Sequence, residues 1–136
     1  MRLYIKKTNE INESADISCS LEELNNVVPS IATEIICNDI LDYQEKRYDV
    51  LKNILTRLRY GGKIIITGVD VEEVCREYLN RTISIVDVEN LLYQERKSAT
   101  NIHRMLSELT NNGLDILTCR TQSCHYYIVA IRNAKS

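Results

Sequence analysis

Apolar and polar positions between Tyr48 and Leu58 recur with a helical period. Val50, Leu51, Ile54, Leu55 and Leu58 fall at three- and four-residue spacing, with Lys52, Asn53, Arg57 and Arg59 largely opposite. The pattern predicts an amphipathic helix lying on a core. Gly61 and Gly62 follow, where a left-handed residue ends a helix at little steric cost. Lys63 to Thr67 then reads as a short β-branched strand without alternation, as expected of a strand covered on both faces. Helix, glycine turn and buried strand make half of a parallel α/β unit.

The same reading extends along the chain. Arg2 to Lys6 alternates Leu3 and Ile5 with polar neighbours and predicts a strand, Thr8 to Ser14 a polar loop, and Ala15 to Cys19 a second short strand. Ser20 before Leu21-Glu22-Glu23 predicts a capped short helix to about Asn26, and Pro29 stops it. A third strand centres on Glu34 to Cys37, and Ile40 to Tyr43 reads as a single helical turn. Asp70, with Glu73 three residues on, is the expected cap of a helix carrying Val71, Val74, Cys75, Tyr78 and Leu79; Ser84 and Asp87 repeat the device. Ser98 or Thr100 is expected to open a longer helix through Ile102, Met105, Leu106 and Leu109, closed at Gly113. Leu114 to Arg120 and Cys124 to Arg132 are separated by three residues, so they must pair antiparallel, because a parallel crossover needs about a dozen. With no repeat or linker, residues 1-136 read as one domain.

Composition narrows the class. The chain has 136 residues, 44% hydrophobic and 26% charged, with one proline and four glycines, the balance of a globular protein. Phe and Trp are absent and Tyr supplies all eight aromatics, so Ile, Leu and Val must form most of the core. A net charge of −2 gives no electrostatic reason to expect nucleic-acid binding. Lys6-Lys7 and Arg57/Arg59 are expected as solvated surface. No apolar run approaches the ~18 residues of a membrane span, and MRLYIKK lacks a signal-peptide core; the expectation is a cytoplasmic protein. Cys19, Cys37, Cys75, Cys119 and Cys124 are odd in number and scattered, and read mostly as reduced, buried, small hydrophobes. Without a CxxC pair or a Cys/His cluster, no metal site is expected. His103 reads as surface. His125 and Cys124 point to opposite faces of a regular strand and so do not form a nucleophile pair.

Parallel α/β units closing on a helix and an antiparallel hairpin resemble the class I S-adenosylmethionine (SAM)-dependent methyltransferase fold. Ala15 to Leu24 resembles the family stretch entering the adenine-contacting loop. Glu34 to Tyr43 resembles its fourth strand and the following turn. Leu51 to Asp70, with Gly61-Gly62-Lys63 as its sharpest piece, resembles the helix-glycine-strand segment, and Leu91 to Arg132 the final helix and hairpin. The resemblance implies a single-domain, Rossmann-like, mostly parallel sheet with a C-terminal antiparallel hairpin, reduced in its N-terminal half.

Departures from the family pattern decide the functional expectation. The family's first strand runs into a glycine-rich turn whose missing side chains admit the cofactor. Here Arg2 to Asn9 stands at that place, and the first glycine of the chain is Gly61. The short connection to the next strand leaves no room for the usual first helix and the ribose-binding second strand. The adenine-contacting acid is replaced by Ser20, an acceptor without charge.

The expectation is therefore a truncated, degenerate methyltransferase-like chain that binds no cofactor. It would act as a binding, structural or regulatory subunit, with uncovered strand faces met by a homo-oligomer or a protein partner; its composition would suit a viral gene. The rival expectation is an active methyltransferase using SAM in an atypical pocket. Ligands bind at the carboxyl ends of parallel strands, so Asp39 or Asp42 would be the general base and Tyr43 would orient the substrate. Ser20, Asn38, Gly68 and Asp70 would be the cofactor-side residues. A third reading is acquired ligand chemistry such as nucleotide binding.

Overall fold

The computed structural model describes residues 1–6 and 17–133. Lys7, Asn9, the expected loop Thr8 to Ser14 and the first two residues of the expected second strand, Ala15 and Asp16, lie outside them. Among the described residues, six strands form one sheet: β1 (Arg2–Ile5), β2 (Ile17–Cys19), β3 (Ala32–Asn38), β4 (Leu58–Val69), β5 (Leu114–Gln122) and β6 (His125–Arg132), in the spatial order β2-β1-β3-β4-β6-β5. The first four are mutually parallel; β6 runs antiparallel to β4, and β5 to β6. The described residues also form four helices: α1 (Arg47–Leu55), α2 (Val71–Leu79), α3 (Ile85–Leu92) and α4 (Ile102–Asn111). Single 3₁₀ turns occupy Leu24–Asn26 and Leu41–Tyr43. The mixed α/β architecture is the expected one. No described helix is long and apolar enough to cross a membrane.

Pairing register places Leu3, Ile35, Ile64 and Ala130 side by side on one face, and Ile5, Cys37, Ile66 and Ile128 beside them. Leu51, Ile54 and Leu55 of α1 and Met105 and Leu109 of α4 close this face, and all are buried in one cluster. Burying a Leu or Ile side chain stabilises by about 1.5–3 kcal/mol, so this layer dominates the folding energy. The opposite face carries Tyr4, Ile36, Ile65 and Val129. Tyr4 and Ile36 are buried apart from the main cluster, while Ile65 and Val129 are only half-buried. β4 therefore alternates fully and partly buried residues, which corrects the expectation of equal cover on both faces. Its run of isoleucines is continuous because a β-branched side chain suits either face of a pleated strand.

The glycine pair does not end the helix. α1 stops at Leu55, and β4 begins at Leu58. Between Ala32↔Leu58 and Glu34↔Lys63, one residue of β3, Thr33, stands against four of β4, so Arg59 to Gly62 bulge out of the ladder. Gly61 takes φ +81 in this bulge, and a side chain on Gly62 would meet Leu58 Cδ1 at 2.8 Å and the Thr33 carbonyl at 3.0 Å. Helical periodicity through Leu58 was a coincidence of spacing; pairing with Ala32 overrides it.

Capping follows the sequence at two of three helices. Asp70 accepts a hydrogen bond from Glu73 N (3.1 Å), and Ser84 and Asp87 form a reciprocal capping box. Glu73 does not reach back to Asp70; its carboxylate pairs with Arg76. α4 starts from Asn101, whose Oδ1 accepts from Arg104 N (2.8 Å), not from Ser98 or Thr100. Those two hydroxyls are engaged elsewhere: Ser98 with Arg47 and the Leu41 carbonyl, Thr100 with the Tyr48 hydroxyl. The hairpin turns on Ser123 and Cys124, φ +52 and +66, a primed turn that matches strand twist. Arg57, expected at the surface, is buried against the Leu24 carbonyl (3.2 Å). Among the cysteines, Cys19, Cys37 and Cys124 are buried, whereas Cys75 and Cys119 are exposed.

Candidate functional site

The strand order reverses at β1, which has β2 on one side and β3 on the other. In open α/β sheets, the crevice beyond the carboxyl ends at such a point is where ligands bind. A cleft of about 790 Å³ lies there. Lys6 follows β1, Ser20 to Glu23 follow β2, and Ile40, Tyr43 and Gln44 follow β3; Gln94 and Glu95 close it from the segment after α3. Three carboxylates, Glu22, Glu23 and Glu95, face one ammonium, Lys6, which sits 4.0 Å from Glu23.

Of the expected site residues, Ser20 and Tyr43 line this cleft. Ser20 accepts from Glu23 N (3.3 Å) and donates to the Glu23 carboxylate (3.0 Å), so its hydroxyl caps the turn that walls the cleft. Tyr43 stacks under the Arg96 guanidinium, 5.3 Å from the ring centre. Gln94 and Glu95, which the sequence did not single out, both adopt left-handed backbone at φ +61 and +69. Non-glycine residues rarely take that conformation, and two in succession make a strained strap over the cleft. Arg96 holds it by donating to the carbonyls of Asn90 (2.8 Å) and Tyr93 (2.9 Å).

The remaining candidates are not brought together in the cleft. Asp42 is 2% exposed: Oδ1 accepts from Arg47 Nη1 (2.9 Å) and Oδ2 from Val69 N (2.9 Å). Arg47, itself 3% exposed, donates onward to Ser98 Oγ (3.3 Å) and Tyr126 OH (3.1 Å). Asp42, expected as a general base, is thus the centre of a buried network spanning α1, β4, β6 and the strap. Asp70 is also buried, and its second oxygen accepts from Ile102 N (3.0 Å), joining the starts of α2 and α4.

Gly68 lies under the Tyr126 ring, where a side chain would overlap the phenol; its absence serves packing. Asn38 is exposed and accepts from Thr67 Oγ1 (3.4 Å). Asp39 takes φ +54, its amide donates to the Thr67 carbonyl (3.0 Å), and its buried Oδ1 has no hydrogen-bond partner among the described residues. Neither residue lines the cleft. His103 is exposed, and His125 contacts the Ser123 carbonyl rather than Cys124. No group of three or more His, Cys, Asp or Glu able to hold a metal occurs among the described residues.

Burial also sets the acid–base behaviour below this site. It pushes the Cys37 thiol up to about 12, with Arg47 pulling weakly the other way, and drives the Tyr126 phenol upward by the same cause. Both groups are neutral when folded, while an unfolded thiol ionises near 9. The Cys37 contribution to stability is therefore complete below pH 9 and falls by about 1.4 kcal/mol per unit as pH rises from 9 toward 12. Unfolding titrations at pH 8 and 10.5 are expected to show this loss, and Cys37→Ala is expected to lessen it, leaving the part that Tyr126 and the thiols of Cys19 and Cys124 contribute.

No family model matches the chain, and no curated protein matches it significantly in sequence. Solved structures do match. An O-methyltransferase family protein from Burkholderia thailandensis superposes with a TM-score of 0.63 at 14% identity, over 88% of this chain and 36% of its own. A SAM-dependent methyltransferase from Thermotoga maritima, described as a possible histamine N-methyltransferase, gives 0.62 at 12%, over 86% and 63%. Human N-acetylserotonin methyltransferase, solved with SAM, gives 0.61 at 15%, over 97% and 40%. This chain thus spans about one to two thirds of the length of these three proteins. At such identities the likeness is one of fold.

Proposed function

We propose that this chain, which has a class I methyltransferase-like fold, transfers no methyl group and serves as a binding or regulatory subunit. The observation that carries this reading is the use of two of its three strand-end carboxylates, Asp42 and Asp70; the third, Asp39, lies outside the cleft with one oxygen buried. Asp42 is saturated by Arg47 and the Val69 amide, and Asp70 by the first turns of two helices. A general base must be within reach of the proton it takes, and these two oxygen pairs are turned into the scaffold.

The residues present fit SAM poorly. No glycine lines the cleft among the described residues, and none occurs in the sequence before Gly61, so the described lining offers a cofactor no glycine backbone to approach. Calorimetric titration with SAM and with S-adenosylhomocysteine is expected to give no saturable heat. Stoichiometric binding of either would overturn the proposal.

A second reading, an active SAM-dependent methyltransferase with an atypical pocket, draws on one feature. The cleft is within the roughly 300–1,000 Å³ of small-molecule sites, and it sits at the switch point with Ser20 and Tyr43 in its wall. The same titration separates the two.

A further inference from the structure

α3 is the least accommodated element of the fold. Its sequence, IVDVENLL, is largely apolar, yet none of its residues is buried. Val88, Leu91 and Leu92 pack partly onto Val69, Val74 and Cys124, whereas Ile85 and Val86 point away and are 53% and 57% exposed. Leu79, at the end of α2, is 78% exposed, and Tyr78 beside it is also exposed. A depression of about 340 Å³ lined by Tyr78, Leu79, Arg81, Ile83 and Ser84 lies between the end of α2 and the start of α3. Exposed apolar side chains concentrated on one helix pair, with polar residues around them, mark an interaction site.

A groove of about 620 Å³ runs between α2, α3 and the β5–β6 turn; Ile83, Leu91 and Cys124 give it apolar lining, with Glu73, Glu77 and Asp87 beside them. Charge fixes what can fill it. Residues 71–92 hold five acidic side chains, Glu72, Glu73, Glu77, Asp87 and Glu89, against Arg76 and Arg81, in a chain whose net charge is only −2. Arg76 alone serves both Glu72 and Glu73, and Glu77 pairs with no described cation. An acidic rim repels nucleic acid and anionic lipid and attracts a cationic partner.

We infer that the α2–α3 pair docks a basic amphipathic helical segment of a partner protein, its apolar face on Leu79, Ile85, Val86 and the groove, its lysines or arginines on Glu77 and Asp87. The surface shares no lining residue with the cleft at the switch point. The probe is a fluorescein-labelled helical peptide with Leu at i, i+3, i+4 and i+7 and Lys elsewhere, titrated against the intact chain by anisotropy; the control peptide carries Glu in place of every Lys. Saturable binding of the Lys peptide is expected, weakening as salt is raised, with no binding of the Glu peptide.

Leu79→Ser with Val86→Ser, and separately Glu77→Lys, are each expected to weaken it by at least about tenfold. These positions are exposed or at the groove edge, so folding should survive, and far-UV circular dichroism checks it. Equal binding of both peptides, binding of neither, or indifference to the substitutions overturns the inference. So does a concentration-dependent dimer abolished by Leu79→Ser with Val86→Ser, which would make a second copy of the chain the occupant.

Discussion

Asp42→Ala is expected to destabilise the fold by about 3–5 kcal/mol, the usual cost of stripping one partner from a buried ion pair. The loss has three parts. Arg47, 3% exposed, keeps its charge without a carboxylate beside it. The buried Val69 amide loses its acceptor. Arg96, 4.0 Å from Asp42 Oδ2 and already lacking a hydrogen-bond partner at Nε among the described residues, loses its nearest carboxylate. Urea unfolding should show the midpoint falling without a change of slope. Asp42→Ala combined with Arg47→Met should cost far less than Asp42→Ala alone, because an apolar side chain of similar length fills the space without an unpaired charge. If the double variant is no more stable than the single, the network is not the stabilising unit described above.

Gly68→Ala is the second large effect, at about 1–3 kcal/mol from overpacking. A methyl group there would overlap the Tyr126 hydroxyl and lie 2.7 Å from Cζ of a ring that is fully buried and cannot swing aside. Moving the ring also withdraws the hydroxyl from Arg47 Nη2, now 3.1 Å away, so the strain reaches the Asp42 network. Gly68→Ala and Tyr126→Leu, measured singly and together by chemical denaturation, should therefore be non-additive, with the small aliphatic side chain relieving much of the alanine's cost. Additive losses would show that the close approach is absorbed elsewhere.

Both predictions concern residues whose type the sequence displayed and whose role it concealed. Asp42, Asp70 and Gly68 stand at strand ends, where the fold family places ligands, and that position made them site candidates. Arg47 lies 79 residues from the Tyr126 hydroxyl it contacts, and no local pattern announces such a meeting. Gln94 and Glu95 likewise enter the cleft only because Arg96 and Asp42 hold their segment there.

Local chemistry was legible. The 3.6-residue apolar spacing of α1 and α4, the Ser84 and Asp87 capping box, the Asp70 cap and the short hairpin connection each depend on residues within about one turn of each other, so the chain alone fixed them. What depended on distant groups was settled only in three dimensions. Pairing with Ala32 turned the end of an apparent helix into the start of β4, and packing against Leu24 buried Arg57. A polar side chain is solvated or buried according to which partners the fold delivers to it. Desolvation is repaid only when those partners arrive together, and their arrival is a property of the sheet order rather than of any stretch of sequence.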